Sequence, residues 1–194
     1  MNNYKTYNKM LELLNTHEYE ELKNYIEIQK NKFYLENARK TLKSYLTKGK
    51  IYDSFPKSIF GYLDDKRIIL ANEISVYILN TDELLTETRK KQIECIDKLD
   101  EKIAFFYSVF QKYEAMETTP VESIQADELH PYLKRYIIKG EHLERPQCYQ
   151  LKNFDFAEDF LGEHIQYSLC RETPACVAKS DKGKGLILGL RDRA

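Results

Sequence analysis

The chain has 194 residues, 42% of them apolar and 31% charged, with thirty basic side chains against 31 acidic ones for a net charge of -1. This balance describes a folded, heavily solvated protein with one substantial core or two small ones, and it excludes a disordered chain and a uniformly basic one. No apolar run is long enough to span a bilayer and Met1 is followed by no basic stub and apolar core, so neither a membrane span nor a signal peptide is expected.

From Tyr4 to Leu46 the pattern is helical, with a break near Asn15 and a capping residue at Thr16 followed by Glu18, Glu20 and Glu21. Tyr19, Leu22, Ile26 and Phe33, then Leu35, Ala38, Leu42, Tyr45 and Leu46, recur at helical spacing, and Gly49 is the expected stop. At Lys50 the period changes. Ile51-Tyr52, Ser58 to Leu63, Arg67 to Ala71 and Ile74 to Leu79 are separated by Pro56, Asp64-Asp65-Lys66 and Asn72-Glu73, which predicts a three-stranded antiparallel meander. In its last strand Ile74, Val76 and Ile78 share one face and Ser75, Tyr77 and Leu79 the other.

One long helix is predicted from Asp82 to Tyr113, opened by a capping-box-like Asn80 and Glu83. Along it Ile96, Leu99, Ile103, Phe106 and Phe110 form a narrow seam suited to pairing with a helix of this chain, of a second copy or of a protein partner. Glu117-Thr118-Thr119-Pro120 is the expected hinge, and a shorter helix is expected from Val121 to Tyr136, divided at Pro131. A strand at Cys148 to Leu151, a short helix at Asp155 to Leu161 and a strand at His164 to Cys170 follow. A hairpin closes the pattern, its strands around Val177 and Leu186-Ile187-Leu188 and its turn at Ser180-Asp181-Lys182-Gly183. The fold class is therefore α+β: N-terminal helices and a meander (1–80), a long connecting helix (81–116), and a second helix-plus-strands half (117–194), either separate or as one continuous domain.

Chemical signatures are few. Lys182-Gly183-Lys184-Gly185 lacks the spacing and the Ser/Thr of a phosphate loop and lies between strands, so it is expected as a turn. His142, Cys148, His164, Cys170 and Cys176 lack the short paired intervals of a metal site, and with Cys95 the thiols are expected reduced, in a cytoplasm. No nucleophile elbow occurs, and the pairs Asp64-Asp65 and Glu158-Asp159 are expected as solvated surface, so no catalytic role, cofactor or metal is assigned. Basic residues cluster at Arg39, Lys40 and Lys43, at Arg89, Lys90 and Lys91, and at Lys134 and Arg135; the first and last clusters are the candidate phosphate contacts for duplex DNA.

Two stretches, Leu63 to Ile78 (LDDKRIILANEISVYI) and Pro174 to Arg191, carry an acidic turn, an apolar strand and a second turn and strand, and a proline-opened hairpin ending in an arginine. Together they resemble the DNA sliding clamps that act as polymerase processivity factors. The resemblance implies helices facing DNA with sheets outside, no catalysis, and a phage or mobile-element origin. The resulting expectation is a non-enzymatic, DNA-associated, self-associating protein; the alternative is a helix-mediated interaction or regulatory module that binds no DNA.

Overall fold

The computed structural model describes residues 2–47, 58–94, 98–128, 131–141 and 143–190. The expectations placed on Gly49, Ile51-Tyr52, Pro56, Cys95, Ile96, His142 and Arg191 lie outside the described residues.

Helices α1 (Asn2–Asn15) and α2 (Tyr19–Thr47) divide at the predicted break. His17 takes a left-handed φ of 60°, and the Glu18 N–H donates to the Leu13 carbonyl at 3.0 Å, which satisfies carbonyls that the end of α1 leaves open. The predicted meander follows as β1 (Ser58–Tyr62), β2 (Ile68–Asn72) and β3 (Ser75–Leu79). Its turns are set by local acceptors. Asp64 Oδ1 takes the N–H groups of Lys66 and Arg67, and Asn72 Oδ1 takes those of Ile74 and Ser75.

The predicted long helix is two helices, α3 (Glu87–Glu94) and α4 (Leu99–Glu114), with Lys98 left-handed at φ 51° before α4. The charged first half buries no residue, whereas α4 buries Ile103, Phe106 and Phe110. Packing therefore fixes the direction of α4 alone. A second correction concerns the expected hinge and the helix after it. Thr118–Ala126 is a strand, β4, followed by a 3₁₀ turn at Pro131–Leu133 and by β5 (Arg135–Gly140). Thr118, Thr119, Val121 and Ile124 are β-branched, and such side chains favour the pleated sheet. Pro120, which has no N–H, sits where β4 changes partners, from a later strand at Thr118–Pro120 to β5 from Val121 onward.

The remaining elements are β6 (Gln147–Gln150), α5 (Leu151–Leu161), β7 (Gln166–Cys170), which is that later partner of β4, β8 (Ala175–Lys179) and β9 (Gly183–Leu188). The fold is α+β. The nine strands of the described residues form one antiparallel sheet in the order β1-β2-β3-β9-β8-β7-β4-β5-β6. The meander and the closing hairpin meet at β3 and β9, so residues on both sides of the connecting helices share one sheet.

The alternation expected along β3 holds across the sheet. Ile59, Ile69, Val76, Ile78, Val177 and Leu186 face α4 in one core, while Phe60, Leu70, Tyr77, Leu79, Cys176 and Ile187 face α2 and α5 in the other. In the second core Tyr45, Tyr77, Phe156 and Phe160 meet edge to face, and the Tyr77 hydroxyl donates to the Asn153 carbonyl at 2.9 Å. Helices thus cover both faces of the sheet.

Two glycines differ in what an alanine would cost. A Cβ on Gly183, at φ 154°, would lie 2.1 Å from the Ile78 carbonyl oxygen, whereas on Gly162, at φ 74°, it would meet nothing closer than 3.5 Å. Gly183→Ala is expected to lose about 3 kcal/mol or more in urea denaturation and Gly162→Ala about 2 kcal/mol, the conformational cost alone.

Candidate functional site

Three surfaces stand apart from the two cores. The first is the helical hairpin made by α1 and α2. On α1, Leu13 is buried and Thr6 and Met10 are half-buried; on α2, Leu22, Tyr25, Ile26 and Gln29 are half-buried, three and four apart. These positions make the seam along which α1 packs on α2. From Ala38 onward α2 turns a different side, Ala38, Leu42 and Tyr45, into the core. No residue from Asn15 to Asn37 is buried. The apolar residues left over are large: Tyr7, Leu11 and Leu14 on α1, and Tyr19, Ile28 and Phe33 on α2, with Tyr7 60% and Phe33 67% exposed. The predicted stripe Tyr19-Leu22-Ile26-Phe33 is therefore split, its two ends lying in solvent.

The second surface is basic. The Arg39 guanidinium donates through Nη2 to the Glu83 carbonyl at 2.5 Å, which ties the C-terminal half of α2 to the loop leading into α3. Arg89 on α3 lies over the Phe60 ring, 5.5 Å from its centre, within the core that α2 covers. Two basic clusters far apart in sequence, Arg39-Lys40-Lys43 and Arg89-Lys90-Lys91, are thereby brought to one side of the molecule. Lys40, Lys43 and Lys91 are exposed, and Lys90 pairs with Asp82 at 3.2 Å. Lys134 is exposed as well, but Arg135 is held by Asp127 at 2.6 Å, with the Asp127 side chain only 2% exposed. Arg135 therefore closes the turn between β4 and β5 through this pair.

The third is a cleft of about 880 Å³ between the middle of α2, the end of α5 and the β8–β9 turn. Tyr34 stands on one wall, donating its hydroxyl to the Phe160 carbonyl at 2.7 Å while Lys182 Nζ lies 5.2 Å from its ring centre. Asp159, which also lines the cleft, accepts from the Thr41 hydroxyl at 2.5 Å. Lys182-Gly183-Lys184-Gly185 contributes only the edge of this cleft. Ser180 N–H donates to the Gly183 carbonyl and Asn80 N–H to that of Lys182, so the segment is the turn and start of β9.

The expected partner seam is used internally. Ile103, Phe106 and Phe110 pack against the sheet, and Leu99 approaches Gly61 on β1; Ile96 lies outside the described residues. The seam is real, and the sheet of the same chain covers it. The exposed stripe on α1 is not among the sequence-based expectations, although the residues carry a signal for it. Met10 and Leu13 at one helical offset and Tyr7, Leu11 and Leu14 at the next make an apolar arc wider than one neighbouring helix covers.

Cys170 and Cys176 are buried in opposite cores and Cys148 is half-buried on β6; among the described residues no three His, Cys, Asp or Glu side chains come together to hold a metal. Nor, among them, is any helix long and apolar enough to cross a membrane. Compared with family models, with curated proteins and with solved structures, the chain matches none.

Burial raises the pKa of several phenols. Tyr34 is pushed up to about 12, first by desolvation and then by the nearby Asp181 carboxylate, and burial drives Tyr45, Tyr77, Tyr149 and Tyr167 upward as well. Between pH 10 and 12 the unfolded chain ionises Tyr34 while the folded chain keeps it neutral, so stability is complete below pH 10 and falls as the pH rises through that window. Tyr34→Phe is expected to lower stability at neutral pH by about 1 kcal/mol through loss of the bond to Phe160, and to flatten the alkaline decline. Urea denaturation at stepped pH checks both.

Proposed function

We propose that this is a non-enzymatic, cytoplasmic protein-interaction module whose working surface is the α1–α2 hairpin. The observation that carries the reading is the set of large apolar side chains left in solvent on the hairpin, from Tyr7 to Phe33. Scattered singly, exposed apolar residues are ordinary; Tyr7, Leu11 and Leu14, four and three apart, share one side of α1 and suit a helical partner. Ile103, Phe106 and Phe110 of the long-helix seam already pack on the sheet, which favours the hairpin over that seam as the working surface.

A second reading, association with duplex DNA in a clamp-like manner, is favoured by the Arg39–Glu83 contact that gathers two basic clusters. In its clamp-like form it must accommodate helices on both faces of the sheet, where the resemblance implies helices on one.

The leading reading is tested with a photocrosslinking residue in place of Leu11 and, as a control, in place of exposed Asp65 on the β1–β2 turn. A discrete protein adduct from position 11 alone is expected, and none from either position would dismiss it. Leu11→Ser with Phe33→Ser should leave stability within about 0.5 kcal/mol of the parent in urea denaturation, because neither side chain serves the core. For the DNA reading, neutralising Arg39, Lys40 and Lys43 together should reduce the salt slope of binding by roughly one for each phosphate no longer neutralised, and absence of binding at low salt dismisses it.

A further inference from the structure

The cleft beside Tyr34 has the size of a small-molecule site, about 880 Å³ shared between α2, the end of α5, the segment leading into β7 and the β8–β9 turn. Its charge is one-sided. Glu27, Glu158, Asp159, Glu163 and Asp181 line it, against Lys30 and Lys182. Glu27, Glu158 and Glu163 are exposed, and among the described residues none of the three is in an ion pair. Gly162, which ends α5, belongs to the lining, and the last turn of α5 holds no basic residue, so the helix adds its own negative end to the field.

The rest of the lining includes exposed Phe33, Tyr34, Ile165 and Tyr167. One cation is already seated against such a surface. Lys182 Nζ lies 5.2 Å from the centre of the Tyr34 ring and 3.9 Å from Asp181, an ammonium on a methylene stem held by a ring face and a carboxylate. Lys182 thus answers Asp181, and the Thr41 hydroxyl answers Asp159, which leaves the other three carboxylates to solvent. Tyr167 adds an open acceptor: its hydroxyl is the one buried side-chain oxygen without a hydrogen-bond partner among the described residues. Glu158 is close enough to it that the carboxylate adds to burial in raising the phenol's pKa.

We propose that this cleft binds a small linear polyamine in its protonated form, at a site separate from the surface that α1 offers to a protein partner. Ammonium groups spaced by methylenes match a lining in which the open carboxylates come from different elements, Glu27 from α2, Glu158 from α5 and Glu163 from the segment before β7, with ring and aliphatic surface beside them. An ammonium at Glu158 has the Tyr167 oxygen as a second acceptor, and Phe33 supplies a ring face of the kind that Lys182 uses on Tyr34. A metal ion is a poorer match, because among the described residues no three of these carboxylates converge on one point. The excess of carboxylates repels an anion.

The test is isothermal titration calorimetry of the full chain with spermine, with 1,4-diaminobutane and with Mg²⁺. Spermine is expected to bind one to one, with a Kd in the micromolar to sub-millimolar range, more tightly than the diamine or Mg²⁺, and to weaken as salt is raised. Glu158→Gln with Glu163→Gln should weaken spermine roughly tenfold or more. Both side chains are exposed, so this variant should melt with the parent. Glu18→Gln with Glu20→Gln removes the same charge around the start of α2, outside the cleft, and should leave the affinity unchanged, as should Leu11→Ser on the hairpin surface. Lys182→Met takes away the resident cation and should tighten binding several-fold. Tyr167→Phe should weaken binding while its melting temperature stays at or above the parent's, since a buried hydroxyl without a partner costs stability. No saturable binding of spermine at low salt, Mg²⁺ bound as tightly as spermine, or an affinity that is the same in the Glu158 and Glu163 double variant as in the parent overturns the proposal.

Discussion

The structure depends on how closely β3 can lie against β9. Tyr77 of β3 is opposite Gly185, and a Cβ there would lie 2.9 Å from the tyrosine ring; Leu79 is opposite Gly183, where a Cβ would strike the Ile78 carbonyl. Two glycines thus clear the space in which the Tyr77 ring stands against Tyr45 and Phe160 while its hydroxyl reaches Asn153. That contact joins the N-terminal meander to the C-terminal hairpin and seats α2 and α5 over the junction. The glycines of the Lys-Gly-Lys-Gly segment take part in this packing.

Helix α2 serves two masters along its length. Its second half belongs to the core through Ala38, Leu42 and Tyr45, and its first half carries α1 on another side. The change of side explains why the helix has no single apolar face and why large apolar residues remain in solvent near its start. It also places the cleft beside Tyr34, at the point where the helix leaves the body.

Much of this was legible in the residues. The first meander, the break near Asn15, the alternating faces of β3, the short helix ending at Leu161 and the closing hairpin follow from period and turn chemistry, which act over a few residues. Where sequence and structure part, a distant neighbour decided. The spacing from Val121 to Tyr136 admits a helix when β-branching is given little weight, and β5 resolves it by pairing with β4 from Val121 onward, as β7 does for the expected hinge at Thr118–Pro120. The seam of α4 was visible as a seam, yet spacing states only that one side is apolar and leaves open whether a sheet or a helix covers it. The basic clusters could each be seen, but nothing local says that Arg39 reaches Glu83 or that Asp127 has already taken Arg135.

The position of β9 has a consequence for how the molecule is made. Of these nine strands it is the last to leave the ribosome, yet it lies inside the sheet between β3 and β8, and its partner β3 was synthesised about a hundred residues earlier. Until it arrives, β3 is an edge whose side chains are apolar on both faces, an open template for any other extended segment. Vectorial synthesis therefore leaves the meander waiting for the one strand that can close it.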